Sequence, residues 1–149
     1  MRKGTAIALA AALLASGCGS SGKKTTSKLD ESAAKFAVAV QAQLKSGRFS
    51  SAWRSLHPAE QKVVSAQRLA SCYPRNEFAG AVTFRARKVR DVRWTVPGGD
   101  TTDAKEVTIA ATSPNRPKDI FRQHVVRMRG HWTWMLSRAY FTKATSRKC

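Results

Sequence analysis

Cys18 is the residue whose setting points most directly to chemistry. It ends the run Leu13-Leu14-Ala15-Ser16-Gly17, and a thiol placed after small residues behind a short apolar stretch suits cleavage on its N-terminal side and lipid attachment at sulfur. Arg2 and Lys3 supply the positive end of such a signal and Thr5 to Ala15 its apolar centre, which is too short to persist as a membrane-crossing helix. Residues 1–17 are therefore expected to be a lipoprotein signal peptide, which would leave the chain lipid-anchored on the outer face of the cytoplasmic membrane. The alternative is an ordinary secretory peptide cut after Ala15-Ser16-Gly17; Ala15 stands where lipidation signals commonly have leucine, with Leu14 one place further back, which speaks for it.

Once Cys18 is lipidated, Cys72 and Cys149 are left. An even pair in an exported chain fits a disulfide staple; the other reading is two free thiols, with Cys72 buried as a small apolar side chain. The remaining candidates for chemistry are sparse. His57 precedes Pro58, where capping or packing explains it, and Asp91, Asp100, Asp103 and Asp119 are expected at bends or strand ends, with Glu106 bordering a strand. His124 and His131 are not set against each other, so no metal cluster follows. Neither a Gly-rich phosphate loop nor a Gly-x-Ser-x-Gly elbow occurs.

Charge is the strongest compositional signal. The 149 residues hold 27 Lys plus Arg against 9 Asp plus Glu, a formal charge of +18, and such a surface attracts polyanions. In an exported protein these are anionic lipid headgroups or acidic wall polymers. Nucleic acid is not expected, because the arginines are scattered and no binding motif or zinc-finger spacing accompanies them; a merely solvated basic surface is the plainer reading. Residues 18–28 are rich in Gly, Ser, Thr and Lys and read as a flexible basic linker. Its Lys23, Lys24 and Lys28 would lie close to the lipid, each adding up to about 1 kcal/mol of attraction to an anionic surface.

The elements that must position these groups change period part-way along the chain. Ala33, Phe36, Ala37, Val40 and Leu44 recur at helical spacing behind a start near Ser27 or Asp30. Ser50 is a candidate cap for a short helix turning Phe49, Trp53 and Leu56 inward, and two further helical pieces are expected over Pro58–Val64 and Ser65–Cys72. After Tyr73-Pro74 the pattern alternates. Val82, Phe84, Ala86, Val92, Trp94 and Val96 are expected on one side, with a bulge near Lys88 to Asp91 to absorb the out-of-phase Val89. Pro97-Gly98-Gly99-Asp100 is a turn, Val107, Ile109 and Ala111 mark a second strand, and Ile120–Met128 and His131–Leu136 form a hairpin about Arg129-Gly130. That hairpin would pair Met128 with His131, Arg127 with Trp132 and Val125 with Trp134, giving one face for the helices and a second, half-apolar face as a candidate interface. Lys143 to Lys148 reads as a C-terminus prone to fraying.

Phe49 with Ala52-Trp53, Leu56-His57-Pro58-Ala59, the cysteine closing the helical half, Val96-Pro97-Gly98 and Val125 to Ser137 together resemble small actinobacterial-type lipoproteins with a nuclear transport factor 2-like domain, over about residues 30–149. The resemblance implies an α+β domain over residues 29–149: N-terminal helices packed in the concave face of a curved, mostly antiparallel sheet, shaped as a cone with a pocket at its open end. Residues placed to line that pocket are Phe36, Trp53, Phe84, Trp94, Trp132 and Trp134. It also points to a Cys72–Cys149 bridge, since relatives often end in a Lys-Cys pair like Lys148-Cys149. The expected function is a non-catalytic binding or accessory module of the cell envelope, holding a small apolar ligand in the cone or an envelope protein on the sheet, with no cofactor and with a homodimer through the sheet face as a further option. The alternative is an isomerase or hydrolase of the same cone fold with a degenerate polar site.

Overall fold

The computed structural model describes residues 27–73, 80–114, 116–146 and 149; Cys18, Lys23, Lys24 and residues 1–17, expected to be a signal peptide, lie outside them. Helix α1 spans Lys28–Lys45, capped by Ser27, whose side chain accepts from the Asp30 N–H, and it carries Asp30 and Glu31 in its positive first turn. Lys28, expected in the linker, is thus the first helical residue. Helices α2 (Phe49–Arg54), α3 (Pro58–Gln61) and α4 (Ala66–Cys72) follow. The cap of α2 is Arg48 and not Ser50, because the Lys45-Ser46-Gly47 stop turns the chain directly into the next helix. His57 and Ser65 cap α3 and α4 with side-chain acceptors.

The second half forms strands β1 (Thr83–Thr95), β2 (Thr101–Ser113), β3 (Arg116–Met128) and β4 (His131–Met135), then helix α5 (Arg138–Thr145). They make a curved, open, four-stranded antiparallel sheet in the order β1-β2-β3-β4, so the class is α+β. The last hairpin pairs as its sequence implies: Met128 with His131, Arg127 with Trp132, Val125 with Trp134. Its turn holds Arg129 at φ 49° and Gly130 at φ 85°, the two positive values a tight hairpin turn needs. Beyond β4 the sheet edge is covered by the α2–α3 junction, where the His57 N–H donates to the Trp134 carbonyl at 2.8 Å and the Trp134 N–H to the Ser55 carbonyl at 3.0 Å.

The β1 expectation is corrected. The register slips between Ala86 and Lys88, so the bulge sits at Arg87 and Val89 joins Phe84 and Ala86 on the helix-covered face. Val92 and Trp94 are sent to the opposite face, where they pack with Val96, Ala104, Val126 and Met135 in a second cluster. The acidic residues also move. Asp91, Asp103 and Asp119 lie within strands, and Glu106 sits mid-β2 at 6% exposure. The segment expected to fray is helical through Thr145: Ser137 caps α5 and Ala144 is buried.

The main core joins Ala33, Ala37, Val40 and Leu44 of α1 to Val107, Ile109, Val125 and Trp134 of the sheet. Cys72 and Cys149 are paired as a disulfide with their α-carbons 5.0 Å apart. It ties the end of α4 to the C-terminus across 77 residues.

Candidate functional site

A cavity of about 260 Å³ lies where α1, α5 and the β3–β4 hairpin meet. Its apolar wall comes from Leu44, Phe121, Trp134 and Leu136, and Tyr73 and Tyr140 close the side toward the disulfide. Exposed Asp119 and Ser137 stand at its rim, which opens it to solvent. Gln41 and Gln123, 8% and 5% exposed, supply the polar part. Gln41 Nε2 donates to Gln123 Oε1, and Gln123 Nε2 donates onward to the Met135 backbone carbonyl at 3.4 Å. Helical spacing puts Gln41 on the Ala37–Leu44 stripe, and β3 alternation puts Gln123 between Phe121 and Val125. Each amide therefore enters the core with an apolar row, and pairing satisfies polar atoms that would otherwise be costly to bury.

Three of the four indoles have an acceptor, whereas Trp94 Nε1 is buried with no hydrogen-bond partner among the described residues. Trp134 lines the cavity and donates Nε1–H to the Ala52 carbonyl at 2.7 Å. Trp53 donates to the Val64 carbonyl at 2.6 Å, and Trp132 to Ser32 Oγ at 3.0 Å. Phe84 meets Phe121 edge-on with centroids 6.4 Å apart, while Phe36 packs beside the buried core. Trp94 is on the other side of the sheet, stacked on the His124 ring at 3.5 Å. Arg127, paired with Trp132 in the hairpin, donates its Nε–H to the Gly130 carbonyl at 3.4 Å.

The sequence reading missed Gln41, Gln123, Tyr140 and helix α5 itself. The signals were present: Ser137 as a cap, and Tyr140, Phe141 and Ala144 at helical spacing behind it. Tyr140 Oη donates to the Leu69 carbonyl at 2.9 Å, and burial, with Tyr73 nearby, raises its pKa, so the phenol stays protonated.

Two buried acids have opposite fates. Glu60 of α3 is fully buried, and both its oxygens accept from the Leu136 N–H at 3.2 and 3.1 Å. Burial pushes its pKa up to about 8, so it is a neutral acid at pH 7. Glu106 is also desolvated, yet Arg90 at 2.7 Å, together with His124 and Arg122, outweighs burial and holds its carboxyl below the usual range. His124 lies 3.3 Å from Glu106, and burial lowers its pKa despite that carboxylate. Among the described residues, no three His, Cys, Asp or Glu side chains are gathered to hold a metal ion.

No family model, curated protein or solved structure matches this chain. What the cavity can do is read from its lining: aromatic and aliphatic contact for an apolar body, with amide groups for one polar end. Glu60 is turned to a backbone N–H and is not part of the lining.

Proposed function

We propose that this chain is a lipid-anchored, extracytoplasmic binding module of the cell envelope that holds a small, mostly apolar ligand between α1, α5 and the β3–β4 hairpin. The observation that carries the reading is the aromatic cavity of about 260 Å³ with the Gln41–Gln123 pair in its wall. Its volume is just below the range of roughly 300–1,000 Å³ found for sites of drug-sized ligands, so the ligand is small. Helices preceding an antiparallel sheet, with the cavity where the two meet, support a cone of the nuclear transport factor 2-like kind. Cys18 carries the anchor in this reading, and residues 18–28 the tether.

Mass spectrometry under native conditions, on the full chain extracted from membranes, tests the cavity. A retained small molecule is expected, and Leu44→Trp, which fills the space, should remove it. Wild type that carries no ligand and takes up no apolar fluorescent probe would overturn the binding reading. Cys18→Ser should shift the protein from the membrane fraction to the soluble one; retention of the variant in the membrane would overturn the anchor.

A further inference from the structure

On the sheet face turned away from the helices, β2 presents only the small side chains Thr108, Ala110 and Thr112 toward its upper end. Long cations flank them on both sides. Arg85 stands opposite Ala110 and Lys88 opposite Thr108 on β1, while β3 sets Arg122 opposite Thr108 and carries Lys118 two positions beyond Ile120 on the same face. A low floor between high walls makes a groove of about 240 Å³, lined by Thr83, Arg85, Arg87, Ala110, Thr112 and Lys118. The β1 bulge adds to it, because the slipped register brings Arg87 to the same side as Arg85 and Lys88.

Apart from Arg122, these cations are uncompensated. Among the described residues, Arg85, Arg87, Lys88 and Lys118 make no ion pair, and the carboxylate on this face, Glu106, is already held by Arg90 at 2.7 Å and Arg122 at 3.6 Å. Asp119 faces the other way, opposite Ala111. Like charges fixed along both walls of a groove create a positive potential that an anion relieves, and guanidinium groups match phosphate oxygens in two-pronged contacts.

We propose that this groove binds a linear phosphodiester polymer built on polyol units, lying along β2. The cations recur along the strands, where successive same-face positions are about 6.6 Å apart, so several charges of one extended chain can be met at once. Among the described residues no aromatic ring lines the groove, which leaves out the stacking platform that single-stranded nucleic acids use. The site is separate from the cavity and depends on the envelope location only for where such a polymer is met.

The test is titration of a synthetic glycerol-phosphate oligomer of about ten units into the full chain, with Cys18→Ser to prevent lipidation and the Cys72–Cys149 bridge closed. Binding should weaken with salt. Arg85→Ala with Lys118→Ala should raise Kd at least tenfold and reduce the slope of log Kd against log salt by about 1.4, two contacts' share for a single-stranded polyanion. The control pair Arg54→Ala with Lys62→Ala removes equal charge from the helical side and should change Kd less than twofold. Equal weakening by both pairs would reduce the effect to net charge and overturn the site. So would an absence of binding, or a thymidine oligonucleotide of the same charge binding more tightly than the polyol phosphate. Melting temperatures of the variants within about 2 °C of wild type exclude unfolding as the cause, and none of these outcomes bears on whether the cavity holds a ligand.

Discussion

The two faces of the sheet are built from alternate residues of the same strands, yet they do different work. In β2, Val107 and Ile109 are fully buried under α1, whereas Thr108 is part-exposed between Lys88 and Arg122. The helix-covered face is an ordinary hydrophobic interior, where apolar area removed from water holds the layers together. The far face is buried by the Val96, Ala104, Val126 and Met135 cluster, under Trp94 and around the Glu106–His124 pair, and its upper end is left to charge, with Ile120 57% exposed. Stability is concentrated on one face; in the proposals above, recognition of anions is left to the other and the holding of a small molecule to the seam where the helices leave the sheet.

Several measurements would break or sharpen that contrast. The largest effect is expected from the staple on the helical side: Cys72→Ser opens a 77-residue separation and should cost roughly 4 kcal/mol by loop entropy, read as a fall in the denaturant midpoint. An unchanged midpoint would remove the bridge from the account of stability. Next, Ile109→Ala should cost about 3 kcal/mol while Ile120→Ala stays within about 0.5 kcal/mol; comparable losses would show that the far face is packed after all, for instance by a second copy of the chain.

Glu60 gives a smaller effect with a definite direction. The unfolded chain releases this proton near pH 4.5 and the fold only near 8, so the stability it permits is complete below 4.5 and is lost as pH rises through about 8. Between pH 5 and 8 the wild type should lose on the order of 3 kcal/mol from this group, and Glu60→Gln should flatten the curve. A variant with the same pH dependence as wild type would show that the carboxyl is already ionised. The smallest signal is optical. Trp94 stacks on His124, whose pKa burial holds below 6.5, so the fluorescence that Trp94→Phe removes should be quenched by acid with a midpoint below that value. A midpoint at or above 6.5 would mean that Glu106 outweighs burial there.

Much of the fold was legible in the sequence because its signals are local. The Ala33–Leu44 stripe, the Ser27 and Ser65 caps and the Arg129-Gly130 turn each depend on residues a few positions apart, and the hairpin register follows from the turn alone. A bulge was anticipated near Lys88 to Asp91 and lies at Arg87, but Val92, Trp94 and Val96 were kept on the face of Phe84 and Ala86; one extra residue reverses the alternation, and that puts Trp94 on the far face instead of in the expected pocket. Helix α5 was overlooked because Arg138, Thr142, Lys143 and Thr145 dilute its apolar spacing; packing of Tyr140 and Phe141 against the core makes it a helix.

The sequence by itself determined the basic charge balance, the order of helices before strands and the pairing of the last hairpin, all of which rest on composition or on neighbours in the chain. Only the tertiary structure decided which polar groups would be buried together. Gln41 meets Gln123 across 82 positions, Glu60 meets the Leu136 N–H across 76, and Glu106 meets His124 across the β2–β3 pairing. No periodicity encodes such encounters, because the energy of a buried polar group is set by the partner that the folded chain brings within hydrogen-bonding distance.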